Sequence, residues 1–96
     1  MAETKFHIHL NIKTSDDFQC YGKFILGGSR KFANSLFEKM KGNKKVDRQT
    51  ILQLELVETR NELPVNIQVI SCSLEQLAEN CKTITKEIFK FSNLEV

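Results

Sequence analysis

His7 and His9 are the only two histidines of the chain, and they stand two residues apart in an alternating segment. Side chains at i and i+2 of a β-strand project from one face, so both imidazoles are expected on one polar sheet face. Two imidazoles begin a zinc site, but the third and fourth ligands are not marked by position, and no partner nucleophile is evident. We therefore predict no catalytic residue, no metal site and no cofactor, and interpret the pair as strand surface.

The segment from Gly27 to Lys31 is the most chemically suggestive stretch of the sequence. Gly27 and Gly28 let the backbone approach a ligand, and Ser29 would cap a helix whose free N–H groups attract an anion. Arg30 and Lys31 add two cations, although the Walker and dinucleotide-binding patterns are both missing. A capped turn with solvated charges is one explanation. The alternative is a site for a phosphate-containing small molecule or a nucleic acid.

Basic residues are concentrated in the middle of the chain. Residues 23–48 carry eight Lys or Arg against Glu38 and Asp47, a net +6, and the rest of the chain carries −4. The range Gly28–Ala33 is similar to the helix start that grips phosphates in the double-stranded RNA-binding domain. That likeness covers only this helix start, and the family's α-β-β-β-α order differs, so nucleic acid is a minor alternative.

Three cysteines, Cys20, Cys72 and Cys81, form no close pair, which argues against a disulfide framework or a zinc knuckle. Cys20 and Cys81 are predicted on core faces. Cys72 precedes a helix N-terminus, where a thiolate would be stabilised, but no histidine neighbour can be named. We interpret all three as buried, reduced, small hydrophobic side chains.

The composition fits one domain spanning residues 1–96, with 41% hydrophobic and 27% charged residues. These values exclude a disordered or fibrous chain. No apolar run approaches the roughly 18 residues that span a bilayer, and the first residues lack the apolar core of a signal peptide. We expect a cytoplasmic protein without membrane contact.

Hydrophobic periodicity predicts four strands and two helices in the order β-β-α-β-β-α. The strands are expected at 6–13, 18–26, 50–58 and 65–70, and Ile8–Ile12 parallels Leu52–Leu56 in its alternation. Gly22 marks a bulge or a close approach by a helix. Helix 1 should begin at Ser29, and helix 2 at the capping box of Ser73 and Gln76.

Each strand has one apolar face, which predicts an α+β two-layer sandwich: an antiparallel four-stranded sheet with both helices on one face. The inward positions should be Phe6, Ile8, Leu10, Ile12, Phe18, Cys20, Gly22, Phe24, Leu26, Leu52, Leu54, Leu56, Val65, Ile67 and Val69. On helix 2 the apolar stripe should comprise Leu74, Leu77, Cys81, Ile84, Ile88 and Phe91, widened by Ala78 and Thr85.

The far sheet face is then left without a helix. It is mostly polar, but we expect an interface there that includes His7, His9, Tyr21, Ile25, Ile51, Val57 and Ile70. A two-fold dimer is the commonest way to cover such a patch. The predicted function is therefore non-enzymatic: partner binding, with a homodimer as the main expectation.

Several short stretches carry a resemblance to a small uncharacterised bacterial protein family. They are Tyr21–Phe24, Leu26–Gly27, Phe37–Gly42, Leu56–Thr59 and Leu63–Ile67. The likeness spans nearly the full length and implies a bacterial protein. It implies no activity.

Overall fold

The computed structural model describes residues 4–15, 17–45 and 49–94. Its elements are β1 (Thr4–Lys13), β2 (Phe18–Gly27), α1 (Arg30–Glu38), β3 (Leu52–Arg60), β4 (Leu63–Cys72) and α2 (Leu74–Phe89), followed by a π-helical turn, Lys90–Leu94. The predicted β-β-α-β-β-α order is confirmed. Asp47 and Arg48 of the basic segment lie outside the described residues. Within those ranges, neither helix is long and apolar enough to cross a membrane.

The four strands form one antiparallel sheet in the order β2-β1-β3-β4. β1 and β2 make one hairpin and β3 and β4 the other, and α1 lies between the two hairpins in sequence. β1 and β3 are the central pair, with Ile8 opposite Leu56 and Leu10 opposite Leu54. This pairing places the apolar side chains of both central strands on the same face, as their alternation predicts.

The helices pack on that apolar face, and the predicted α+β two-layer sandwich is confirmed. Side chains from both layers form the buried core: Phe6, Ile8, Leu26, Ala33, Leu36, Phe37, Leu54, Leu56, Ile70, Leu77 and Ile84. Leu10, Phe24, Leu52 and Ile67 are partly buried against it. The inward positions predicted for the two central strands therefore hold.

A bulge in β2 reverses the faces of the residues that precede it. Leu10 pairs with Gly22 but Asn11 pairs with Cys20, so Tyr21 is an extra residue on β2. An extra residue shifts the two-residue period by one. The core positions predicted for Phe18 and Cys20 are therefore wrong, and the Cys20 thiol is exposed.

A register shift at residues 56–57 of β3 has the same effect on β4, where Ile67 is the extra residue. Ile70 consequently faces the helices and is only 6% exposed, so its predicted place on the far sheet face is wrong. Val69, predicted inward, lies opposite Glu55 on the far face. The extra residue changes which face each later residue of β4 takes, so simple alternation predicted the wrong face for Val69 and Ile70.

Both helix starts are capped as predicted. The Ser29 hydroxyl accepts a hydrogen bond from the Phe32 N–H at 3.1 Å. Ser73 and Gln76 form the complete capping box of α2. The apolar stripe of α2 is narrower than predicted, since Leu74 is 73% exposed and Ala78 and Thr85 are also exposed.

The loop after α1 is attached to the outer edge of β4. Asn43 and Ser71 exchange two backbone hydrogen bonds, of 2.8 and 2.7 Å. The approach is close because Gly42 has no side chain: a Cβ there would lie 2.5 Å from the Ser71 carbonyl oxygen. The basic loop therefore has a fixed start beside the sheet.

Candidate functional site

The candidate site is the sheet face opposite the helices, called here the open face. It is built mainly by the two central strands, whose side chains on this face alternate with the core residues. Its members include Lys5, His7, His9 and Asn11 on β1, Cys20, Lys23 and Ile25 on β2, Gln53, Glu55 and Val57 on β3, and Val69 and Ser71 on β4. Tyr21, the extra residue of the β2 bulge, lies next to Cys20 on this face. Within the described ranges both helices lie on the other face.

A hydrogen-bonded row occupies the centre of the open face. The Asn11 side-chain amide donates to Gln53 Oε1 and to Glu55 Oε1, each at 3.1 Å. Asn11 and Gln53 stand directly opposite each other and are only 7% and 8% exposed. A polar pair with so little exposure is normally satisfied internally, as it is here, so this part of the face has a fixed geometry.

The two imidazoles continue this row along β1. Their ring centroids are 6.2 Å apart, and His9 Nδ1 lies 3.9 Å from Glu55 Oε1. Partial burial lowers the pKa of His7, and the charges of Lys23, His9 and Lys5 lower it further. Partial burial also lowers the pKa of His9 and outweighs the opposing effect of Glu55. Both rings are therefore protonated less readily than a free imidazole.

The groups of this row can make hydrogen bonds to a partner, but they are not arranged as a general base with an orienting carboxylate. The 3.9 Å separation of His9 and Glu55 is too long for the hydrogen bond that would orient a general base. Across the described part of the chain, no group of three or more His, Cys, Asp or Glu side chains could hold a metal ion.

Large apolar side chains flank the polar row on β2. Tyr21 is 60% exposed and Ile25, directly opposite His7, is 66% exposed. Val57 also belongs to the open face, but it is only 2% exposed. The structure thus brings together most of the predicted interface residues and separates two of them. Ile70 is in the core, and Ile51 lines a basin beside the basic loop.

The polar members Asn11, Gln53 and Glu55 were not predicted as site residues. The sequence does contain a pattern that indicates them: polar residues alternate with apolar ones in the same way in Ile8–Ile12 and in Leu52–Leu56. Their contact depends on β1 pairing with β3, and alternation does not specify strand order.

The predicted anion segment has a different local structure from an open phosphate site. Arg30 forms a bidentate ion pair with Glu58, at 3.0 and 3.1 Å, and its guanidinium lies 5.2 Å from the centroid of the Phe6 ring. Ser29 caps its own helix. Of the two predicted cations, Arg30 is thus engaged within the protein, and Lys31 is exposed with no ion-pair partner among the residues described.

The basic loop forms one wall of a polar basin of about 850 Å³ at the start of α2. Its lining includes Lys44, Lys45, Ser71, Ser73 and Gln76. Cys72 also borders the basin, but burial raises the pKa of its thiol. A stabilised thiolate at this helix start is therefore not favoured.

Comparison with known proteins adds no assignment: no family model, no curated protein and no solved structure matches the chain. The resemblance to an uncharacterised bacterial family accordingly stays a prediction.

Proposed function

We propose that the protein is a non-enzymatic binding domain that forms a homodimer through its open face. The observation that carries this proposal is the combination of a fixed polar row with two strongly exposed apolar side chains, Tyr21 and Ile25, on a face without helical cover. Large exposed apolar groups beside ordered polar groups are typical of interfaces.

The charges of the open face support a second copy as the partner. Lys23 on β2 and Glu55 on β3 both stand opposite His9, one on each side of it. A two-fold axis parallel to β1 would stack two open faces so that Lys23 of each copy meets Glu55 of the other. Such an interface is isologous, because one pair of residues supplies both ion pairs.

Sedimentation velocity from low to several hundred micromolar protein tests the proposal. The wild-type chain should become a dimer, and Ile25→Asp should remain a monomer because it would bury a carboxylate at the interface. Val65→Asp is the matched control, since Val65 is 56% exposed but stands opposite Glu58, on the helix side of the sheet. A wild-type monomer throughout the range would overturn the proposal.

Charge exchange tests the orientation of the two copies. Lys23→Glu and Glu55→Lys should each weaken the dimer through like-charge contacts, and the double variant should restore it. Additive weakening in the double variant would contradict the proposed axis. Lys31→Glu, on α1, should have no effect.

We also propose a cytoplasmic location. All three cysteines are free, and the Cys20 thiol is exposed. Exposed free thiols persist in reducing compartments, where disulfides are rare. The bacterial origin implied by the family resemblance is consistent with this location.

The second candidate function is binding of a phosphate-containing ligand, and the basin beside Lys44 and Lys45 favours it. Inorganic phosphate or a nucleotide should then raise the melting temperature, and Lys44→Ala with Lys45→Ala should abolish the rise. Arg30→Ala with Lys31→Ala tests the sequence-predicted segment in the same assay. Loss of the rise in only one double variant would identify the site, and no rise with wild-type protein would reject this candidate.

The phosphate-containing ligand of this second candidate function could also be a nucleic acid. It predicts retention on heparin that falls steeply with salt, since phosphate contacts release counterions. Elution below physiological salt would reject it.

A further inference from the structure

An open groove runs between the two helices, on the side of the molecule away from the open face. It encloses about 510 Å³ and is lined by Phe32, Ser35, Leu36 and Lys39 of α1 and by Glu87, Lys90 and Phe91 of α2 and the turn that follows. This volume lies in the range of about 300–1,000 Å³ that is usual for small-molecule sites.

Two aromatic rings form the apolar wall of the groove. Phe32 and Phe91 are stacked, with ring centroids 4.1 Å apart and an angle of 17° between the rings. Phe91 is still 42% exposed, although it packs on Phe32. The stack therefore gives the groove a flat, preformed apolar surface that further apolar contact would bury.

The charged lining has one cation in excess. Lys39 and Glu87 form an ion pair across the groove, which neutralises both and lowers the pKa of the Glu87 carboxyl. Lys90 lies beside them and has no hydrogen bond or ion pair within the described residues. The charge of Lys90 also lowers the pKa of Glu87, so the lining, with two lysines and one glutamate, has a net charge of +1 next to an apolar wall.

We propose that this groove binds a small amphipathic carboxylate. The apolar part of the ligand would lie along Phe32 and Phe91, and the carboxylate would pair with Lys90. A monoanion matches the single excess charge, whereas a dianion would bring a second negative charge close to Glu87. The proposal is independent of the homodimer, because the groove and the open face are on opposite sides of the molecule.

Calorimetric titration with decanoate, below its micelle-forming concentration, tests the proposal, with decanol as the uncharged arm. Decanoate should bind saturably and at least about threefold more tightly than decanol, as expected for one solvent-exposed charge contact. Lys90→Gln should remove that difference and leave decanol binding unchanged.

Phe91→Ala should weaken both ligands by removing half of the apolar wall. The matched controls are Lys86→Gln and Phe89→Ala, because both residues line a different surface depression with Cys81 and Lys82. Absence of saturable binding, equal binding of decanoate and decanol, or equal effects of Lys90→Gln and Lys86→Gln would each overturn the proposal. Because Lys90 is exposed, its variant should keep the wild-type melting temperature, which separates lost binding from lost folding.

Discussion

The side chain of Asn80 makes two hydrogen bonds with the backbone of Lys41, one through each of its polar atoms. Asn80 Oδ1 accepts from the Lys41 N–H at 2.8 Å, and Asn80 Nδ2 donates to the Lys41 carbonyl oxygen at 2.8 Å. The Asn80 side chain is 1% exposed, on the buried face of α2. One amide therefore joins α2 to the chain that leaves α1.

Replacing this amide should destabilise the fold strongly. Asn80→Ala removes both hydrogen bonds to the Lys41 backbone, and only the Cys72 thiol, 3.4 Å away, still donates to the Lys41 carbonyl oxygen. We expect a loss of about 2 kcal/mol in the free energy of unfolding. Urea denaturation measures it. The control is Glu79→Ala, which removes only the exposed ion pair between Glu79 and the Lys41 side chain, for about 0.5 kcal/mol or less. Equal losses in the two variants would contradict the role of Asn80.

Glu58 should make stability depend on pH in the acidic range. Hydrogen bonds first from Arg30 and then from Arg60 lower the pKa of its carboxyl below the ordinary 4.5. A carboxyl with a lowered folded-state pKa stabilises the protein above its unfolded-state pKa, and that contribution is lost as pH falls through the folded-state value.

Melting temperatures of the wild type and Glu58→Gln should therefore differ most above pH 4.5 and converge as the pH falls below it. Glu38→Gln is the control, since Glu38 is exposed on α1 and has no ion-pair partner within the described ranges. A wild-type advantage that persists undiminished well below pH 4.5 would show that the carboxylate charge is not responsible.

The turn between β3 and β4 should gain stability from a glycine. Asn61 and Glu62 both have positive φ angles, of 53° and 68°, in a two-residue hairpin turn. Asparagine tolerates this conformation, but glutamate is strained in it. Glu62→Gly should raise the free energy of unfolding by about 0.5–1 kcal/mol, after the greater flexibility of glycine in the unfolded chain is subtracted. Glu62→Gln, with the same backbone preference, should change it little.

Association through the open face should weaken on acidification. The pKa values of His7 and His9 lie below the ordinary 6.5, so both rings gain charge only as the pH falls below that value. The new charges would lie near Lys5 and Lys23, with Glu55 as the opposing anion, and burial at an interface would disfavour them further.

The dimer dissociation constant should accordingly rise between pH 7.5 and about 5.5, which sedimentation velocity measures. Replacing both histidines by glutamine should flatten the profile in that interval. Tighter association at the lower pH would contradict neutral imidazoles in the interface.

Sequence reasoning predicted the parts of the fold that depend on local pattern. The alternation of β1 and β3 and the capping box at Ser73 specify their elements without reference to distant residues. Asn80 was not predicted, but its spacing carried a signal: it stands three residues after Leu77 and four before Ile84, on the buried face of α2.

The wrong faces assigned on β2 and β4 have one physical origin, the register shifts of those strands. A bulge adds one residue to one strand, so the faces of Cys20 and Ile70 depend on where the partner strand pairs. The polar row likewise depends on strand order, which alternation leaves open. The Arg30–Glu58 ion pair joins residues that are distant in sequence, so the sequence pattern could not reveal it. Without that partner, the Gly27–Lys31 segment was interpreted as a ligand site.

The backbone bridge between Asn43 and Ser71 also makes the two borders of the sheet unequal. It occupies hydrogen-bonding groups of β4 that an added strand would need, and Pro64 supplies no N–H farther along the same border. The β2 border has no such bridge in the described part of the chain. Strand addition therefore has free hydrogen-bonding groups at β2 rather than at β4, and the bulge at Tyr21 makes the β2 border a less regular template for it.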